Sequence, residues 1–167
     1  MPDMPLPSEA LRRQLGALLE GDDARMSFDE AVADFPDSAI NEFPPNVAYT
    51  PWHLLEHLRI TQWDILDYIV NRSYAEMRWP DDYWPARDAT ATPAQFAATV
   101  AAFRADNAAI RALVADPATD LFAVIPNTPG HTILREARVV ADHNSYHVGE
   151  FSVLRQVMGS WPEGRSG

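Results

Sequence analysis

The chain has 167 residues and a formal net charge of -11, from 13 lysines and arginines against 24 aspartates and glutamates. Such an acidic balance makes a nucleic-acid ligand improbable, and the absence of cysteine excludes disulfides, thiolate metal sites and an enzyme thiol nucleophile. The length predicts one domain over residues 1–167, with its core at about residues 8–159. Neither a basic, apolar leader nor a long apolar run is present, so we expect a soluble, cytoplasmic protein.

The first part of the chain predicts one long and one short helix. Residues 8–20 carry leucines at helical spacing, and Gly21 follows as a stop signal. Residues 27–34 form the short helix, because Ser27 and Glu30 have the spacing of a capping box.

Three further long helices are predicted, each from a capping threonine. Thr50 and Pro51 begin a helix that runs to about residue 71, and Thr92 and Pro93 begin one that runs to residue 115. The last helix runs from about Thr132 to the residue before Gly159. No segment shows the two-residue alternation of a strand, and LFAVI at residues 121–125 is at most a short extended piece. The sequence therefore predicts an all-α four-helix bundle with long connections.

A tryptophan-rich connection, RWPDDYWPARDA at residues 78–89, separates the second and third long helices. It is too long and too aromatic for a simple turn, so we expect it to cover one end of the bundle or to meet a partner. Trp79, Tyr83 and Trp84 are candidates for a pocket wall or for a homodimer contact, and core packing is the alternative.

The five histidines fall on two segments of the chain, at positions 53 and 57 and at positions 131, 143 and 147. His143 and His147 leave the same helix face one turn apart, at a spacing that allows both to bind one metal ion. Their stripe also contains Val140, Phe151 and Leu154, so both imidazoles should point inward. His57 lies at the edge of the apolar stripe of its own helix, where it could reach the same point.

Other interpretations of these histidines stay open from the residues alone. The pair could lie on the surface without a metal, although burying unpartnered imidazoles is costly and favours a ligand. His53 is better explained as a boundary residue, and His131 as a loop or capping residue that could approach the site from the end. The sequence lacks the glutamate of an HExxH zinc protease and the E-x-x-H elements of a di-iron bundle.

The strings PWHLLEHLRITQWDIL and HTILREARVVADHNSYHVGEFSVLRQVMG resemble the DinB/YfiT-like superfamily of small metal-binding four-helix bundles. The resemblance spans about residues 27–159. In that family, one histidine of the second long helix and an H-x3-H pair of the last one bind a divalent metal. The matching positions here are His57, His143 and His147, and a shift of one helical turn would replace His57 by His53.

The resemblance implies a metal-dependent enzyme, because the superfamily includes thiol-dependent S-transferases and maleylpyruvate isomerase beside members without an assigned activity. We expect a divalent ion, Zn²⁺, Ni²⁺ or a similar one, with open positions for a small-molecule substrate or a thiol. Because the chain has no cysteine, the thiol would come from a low-molecular-weight cofactor. The alternative is a non-catalytic protein that binds metal or a small molecule.

Four charged residues are candidates for supporting roles. Glu150 is a candidate catalytic base or a partner of a metal-binding imidazole, and Asp142 could orient such an imidazole. Arg59 and Arg155 could receive an anionic substrate, although pairing at a surface or an interface explains them better. For the two carboxylates, a solvated position on a helix is the simpler interpretation.

Overall fold

The computed structural model describes residues 7–21, 24–126 and 128–164, and within them it is helical. The long helices are α1 (Pro7–Glu20), α3 (Pro51–Val70), α4 (Pro93–Ala115) and α5 (Ile133–Met158), and α2 (Phe28–Val32) is short. Two 3-10 turns cover Asp37–Ala39 and Asp81–Tyr83. The described residues contain no β-strand, only an isolated bridge between Val124 and Thr132. The all-α prediction is therefore confirmed.

The helix ends follow the predicted capping signals. The hydroxyls of Thr50, Thr92 and Thr132 each accept a hydrogen bond from a backbone N–H of the following first turn. Gly159 ends α5 in the left-handed region, with φ of 63°, which favours glycine because it has no Cβ. The short helix is shorter than the predicted range of residues 27–34, since Ser27 caps α2 and its last helical residue is Val32.

The four long helices form a ring in which α1 and α3 each pack against both α4 and α5. α3 and α4 run in the same direction, because Trp52 bonds to Thr99 and Gln62 bonds to the carbonyl of Phe103. α5 runs opposite to α3. Buried apolar side chains fill two clusters along the bundle, one around Leu54, Leu58 and Phe151 and one around Ile65, Ile110 and Val140.

No helix within the described ranges is both long and apolar enough to cross a membrane.

Arg155 is fully buried near the end of α5. Its guanidinium donates hydrogen bonds of 2.7 Å to the carbonyls of Ala31 and Ala33 and one of 2.9 Å to the carbonyl of Ser160. It also lies over the ring of Trp161 at 3.9 Å. The expected anion-binding or interface role was wrong for this residue, because its guanidinium is buried and both terminal nitrogens donate to backbone carbonyls at the end of α2 or just after α5.

We expect Arg155→Leu to lower the free energy of unfolding by about 3 kcal/mol, because buried carbonyls left without a donor cost about 1–3 kcal/mol each. Urea denaturation of the variant and of the wild type measures this difference. Arg138, an exposed arginine on the same helix, provides the matched control. Arg138→Leu should change the unfolding free energy by no more than about 0.5 kcal/mol, and equal losses in the two variants would contradict the structural role of Arg155.

Candidate metal centre

Three imidazoles converge between α3 and α5. Nitrogen atoms of His57, His143 and His147 lie within 4.8 Å of one another, and Nε2 of His143 is 3.2 Å from Nε2 of His57. Two imidazole nitrogens on one tetrahedral zinc ion, each at about 2.0–2.1 Å from it, are about 3.3 Å apart. The observed separation is therefore compatible with two nitrogens on a single ion, and the third nitrogen lies within 4.8 Å of both. The structure brings together the three histidines that the sequence singled out.

His57 is held in a fixed orientation by the connection between α3 and α4. Its Nδ1 lies 2.8 Å from the carbonyl oxygen of Tyr83, and its ring stacks on Trp84 with centroids 3.9 Å apart and planes 6° apart. A carbonyl only accepts, so Nδ1 carries the proton and Nε2 presents its lone pair to the other two histidines. This is the tautomer that binds a metal through Nε2.

His147 has a carboxylate partner. Its Nδ1 lies 2.6 Å from Oε2 of Glu150, one helical turn farther along α5, and the hydroxyl of Tyr49 donates to the other oxygen of Glu150. The side chain of His147 is 13% exposed and that of Glu150 is 26% exposed, so this side of the cluster reaches solvent. A carboxylate on the far nitrogen fixes the tautomer of a metal-binding imidazole and makes it a better ligand.

Burial keeps two of the imidazoles neutral. Burial lowers the pKa of His57 to about 4, against an opposing effect of the Tyr83 carbonyl. Burial, together with the neighbouring His147 and His57, lowers the pKa of His143 to about 3, against an opposing effect of the Asn144 side chain. Both rings are therefore neutral at pH 7, the form that a metal ion requires.

Glu150 is ionised beside these rings. Burial raises the pKa of this carboxyl, but hydrogen bonds from His147 and Tyr49 lower it by more, so the net shift is downward. The cluster thus combines neutral imidazoles with one carboxylate at its solvent-reached side. Such a donor set fits a divalent ion, because the imidazoles supply nitrogen lone pairs and the carboxylate offsets part of the positive charge.

The other two histidines lie outside the cluster. Nδ1 of His53 accepts from the N–H of Thr50, and Nε2 lies 2.8 Å from the carbonyl of Ala89, so both ring nitrogens are engaged. Nδ1 of His131 lies 2.9 Å from the hydroxyl of Tyr68. His131 precedes His143 by twelve residues, and an α-helix of that length is about 18 Å long.

The tryptophan-rich connection runs along α3 and not across one end of the bundle, which was one of its two expected placements. Its backbone carbonyls meet His53 and His57, and the hydroxyl of Tyr83 donates to the buried carboxylate of Asp64 at 2.6 Å. These contacts span several turns of α3. Trp84 therefore forms a wall beside His57, while the ring of Trp79 is 6.5 Å from that of His57 and 70% exposed. The homodimer contact stays a prediction.

The charged candidates differ in where the structure places them. Asp142 is exposed, and Glu150 lies beside the imidazole of His147, the kind of position that was suggested for it. Arg59 forms an ion pair with Glu56 at 2.6 Å within its own helix.

Sequence reasoning missed several neighbours of the site. Tyr49 lies in the loop before α3, and the carbonyl of Tyr83 carries no side-chain signal at all. Asn144 and Gln62 are polar residues at buried positions of the predicted helices, and this polarity was the sequence signal that could have identified them.

The model of the DinB superfamily matches residues 20–151 of the chain. Comparison with curated proteins and with solved structures found no significant match. The matched range contains all three clustered histidines together with Glu150.

Proposed function

Because the chain belongs to the DinB superfamily, we propose that it is a metal-dependent enzyme, a thiol-dependent S-transferase or a hydrolase. The convergence of His57, His143 and His147 on one point carries this proposal. An ion such as Zn²⁺ or Ni²⁺, if held by these three nitrogens, would act as a Lewis acid that polarises a substrate and favours ionisation of a thiol or water. Three protein ligands leave room for a substrate, as is typical of catalytic rather than structural zinc sites.

Glu150 is the residue that we propose for proton transfer. It is ionised and partly exposed, and it bonds to both His147 and the hydroxyl of Tyr49. A carboxylate in this position can hold His147 in its metal-binding orientation and accept a proton at its exposed side. The two roles are separable, because glutamine keeps the hydrogen-bonding oxygen but cannot act as a base.

Aromatic side chains around the cluster indicate the kind of substrate. Trp79 and Tyr146 are each 70% exposed, and their rings lie beside His57 and His147 respectively. Together with Trp84 they offer flat apolar faces next to the imidazoles. We therefore propose a substrate with an apolar or aromatic portion, attacked by a small thiol that the cysteine-free chain does not itself supply.

We expect the metal-loaded protein to accelerate thiol addition or transfer to electrophiles and the chelated protein to show only background rates. Metal-loaded and chelated samples are compared against panels of small thiols and electrophiles, with hydrolysis followed in samples that lack thiol. Glu150→Gln should bind metal but lose about 100-fold or more in rate, the usual contribution of a positioned base. His131→Ala, outside the cluster, should keep the wild-type rate.

Equal background turnover in loaded and chelated protein would contradict the enzyme and favour the alternative, a non-catalytic protein that binds metal or a small molecule. Turnover that survives chelation would contradict the role of the metal.

A further inference from the structure

A chain of buried amides crosses the bundle behind the histidine cluster. Nδ2 of Asn144 on α5 donates to Oε1 of Gln62 on α3 at 2.8 Å. Nε2 of Gln62 donates to the carbonyl of Phe103 on α4 at 2.7 Å. Nδ2 of Asn107 donates to the same Gln62 oxygen at 3.2 Å and lies 3.3 Å from the carbonyl of Leu19. The chain of amides thus connects all four long helices.

The backbone carbonyl of Phe103 determines which amide atoms donate and which accept in this series of hydrogen bonds. A carbonyl only accepts, so the amide nitrogen of Gln62 must face it and the amide oxygen of Gln62 must face Asn144. The amide nitrogen of Asn144 therefore donates to Gln62, and Oδ1 of Asn144 points away from Gln62. Gln62 and Asn144 are 1% and 2% exposed, so water does not compete for these groups.

Each of two ligand imidazoles has an acceptor for its far nitrogen, and the third lacks one. His57 has the carbonyl of Tyr83 and His147 has the carboxylate of Glu150. For His143 to bind a metal through Nε2, its Nδ1 must carry the proton and needs an acceptor. Nδ1 of His143 is buried, and within the described residues it makes no hydrogen bond of normal geometry.

The complementary atom is on the next residue. Oδ1 of Asn144 is also buried and makes no hydrogen bond of normal geometry in the part of the chain that the structure describes. One atom lacks an acceptor and the other lacks a donor, and both lie inside the bundle.

We propose that Asn144, oriented by Gln62, is a positioning residue that accepts a hydrogen bond from Nδ1–H of His143 and holds this ring for metal binding. The proposal rests on the metal site of the proposed function. It assigns an acceptor to every imidazole of the cluster, and each acceptor comes from a different kind of group: a backbone carbonyl, a carboxylate and a buried amide.

The test uses Zn²⁺ affinity and the absorption spectrum of the Co²⁺-substituted full-length protein. Asn144→Leu should weaken Zn²⁺ binding by about 10- to 100-fold, the usual cost of losing the partner of a ligand imidazole, and should change the Co²⁺ spectrum. Asn144→Asp keeps an acceptor for His143 and should restore most of the affinity. Gln62→Leu keeps the Asn144 oxygen but lets the amide rotate, so a smaller loss is expected.

Two controls separate positioning from general destabilisation. Asn41 bonds through its amide to both the N–H and the carbonyl of Ala91, so Asn41→Leu should lower stability without changing Zn²⁺ affinity or the Co²⁺ spectrum. Thr61→Val tests the other candidate acceptor, since the Thr61 hydroxyl is buried one turn from His57 and has no partner within the described residues.

The outcomes are distinguishable. Wild-type affinity and an unchanged spectrum in Asn144→Leu would overturn the positioning role of Asn144, and so would a loss confined to Thr61→Val. If Asn144→Asp does not fold, Gln62→Leu decides, because unchanged affinity there overturns the orienting role of Gln62. A wild-type protein that binds neither Zn²⁺ nor Co²⁺ would instead contradict the proposed function itself.

Discussion

Replacement of His147 or His57 by alanine should abolish stoichiometric binding of a divalent ion, whereas the wild type should bind one ion per chain. The nitrogens of both residues lie in the cluster, and each is held by a partner that leaves Nε2 available. Two imidazoles without the third form an incomplete site. Elemental analysis of protein purified without a metal-affinity tag, followed by titration with Zn²⁺, measures the effect.

His53→Ala and His131→Ala are the matched controls and should keep one ion per chain. His53 uses one ring nitrogen for Thr50 and the other for Ala89, and this variant should lose stability because both side-chain hydrogen bonds are lost while the Thr50 hydroxyl still caps the helix. His131 bonds to Tyr68 at the far end of the α3–α5 pair. Metal loss in His53→Ala with retention in His57→Ala would show that α3 is one turn out of register.

Removal of the metal should lower the midpoint of thermal unfolding by about 10 °C. An ion present at about 1,000 times its dissociation constant stabilises the folded state by about 4 kcal/mol, because the unfolded chain does not hold the three nitrogens together. In a chain of this size, each kcal/mol shifts the midpoint by about 2–4 °C. Scanning calorimetry before and after dialysis against a chelator gives the shift.

His147→Ala provides the control for this effect. Chelation should leave the unfolding temperature of that variant unchanged, because it has no complete site to empty. A decrease of similar size in the variant would mean that the chelator acts elsewhere, and an unchanged wild type would contradict a metal bound tightly enough to matter for stability.

The helices could be predicted because their signals are local. Thr50 with Pro51 and Thr92 with Pro93 each satisfy the first turn of a helix from within four residues, so the sequence contains the whole interaction. Gly159 ends α5 for an equally local reason, since its φ of 63° disfavours other residues. The tryptophan-rich connection had no such signal, so the sequence did not predict its course along α3.

Part of the histidine cluster could also be predicted from a local signal. The four-residue spacing of His143 and His147 places both rings on one helix face whatever surrounds the helix. The choice of His57 over His53 used its place beside the apolar stripe of α3, and the structure shows why His53 is unsuitable: both of its nitrogens are engaged by the cap and the connection.

The sequence by itself therefore determined the long helices, the capping threonines of three of them and the shared face of His143 and His147, because these depend on contacts within one or two turns. The tertiary structure alone decided which backbone carbonyls bond to His57 and to the buried Arg155. Tyr83 meets His57 through a backbone carbonyl, and Arg155 bonds to carbonyls more than 120 residues away along the chain. Every residue carries the same carbonyl, so no side-chain pattern indicates which one a folded chain will bring to a given ring or guanidinium.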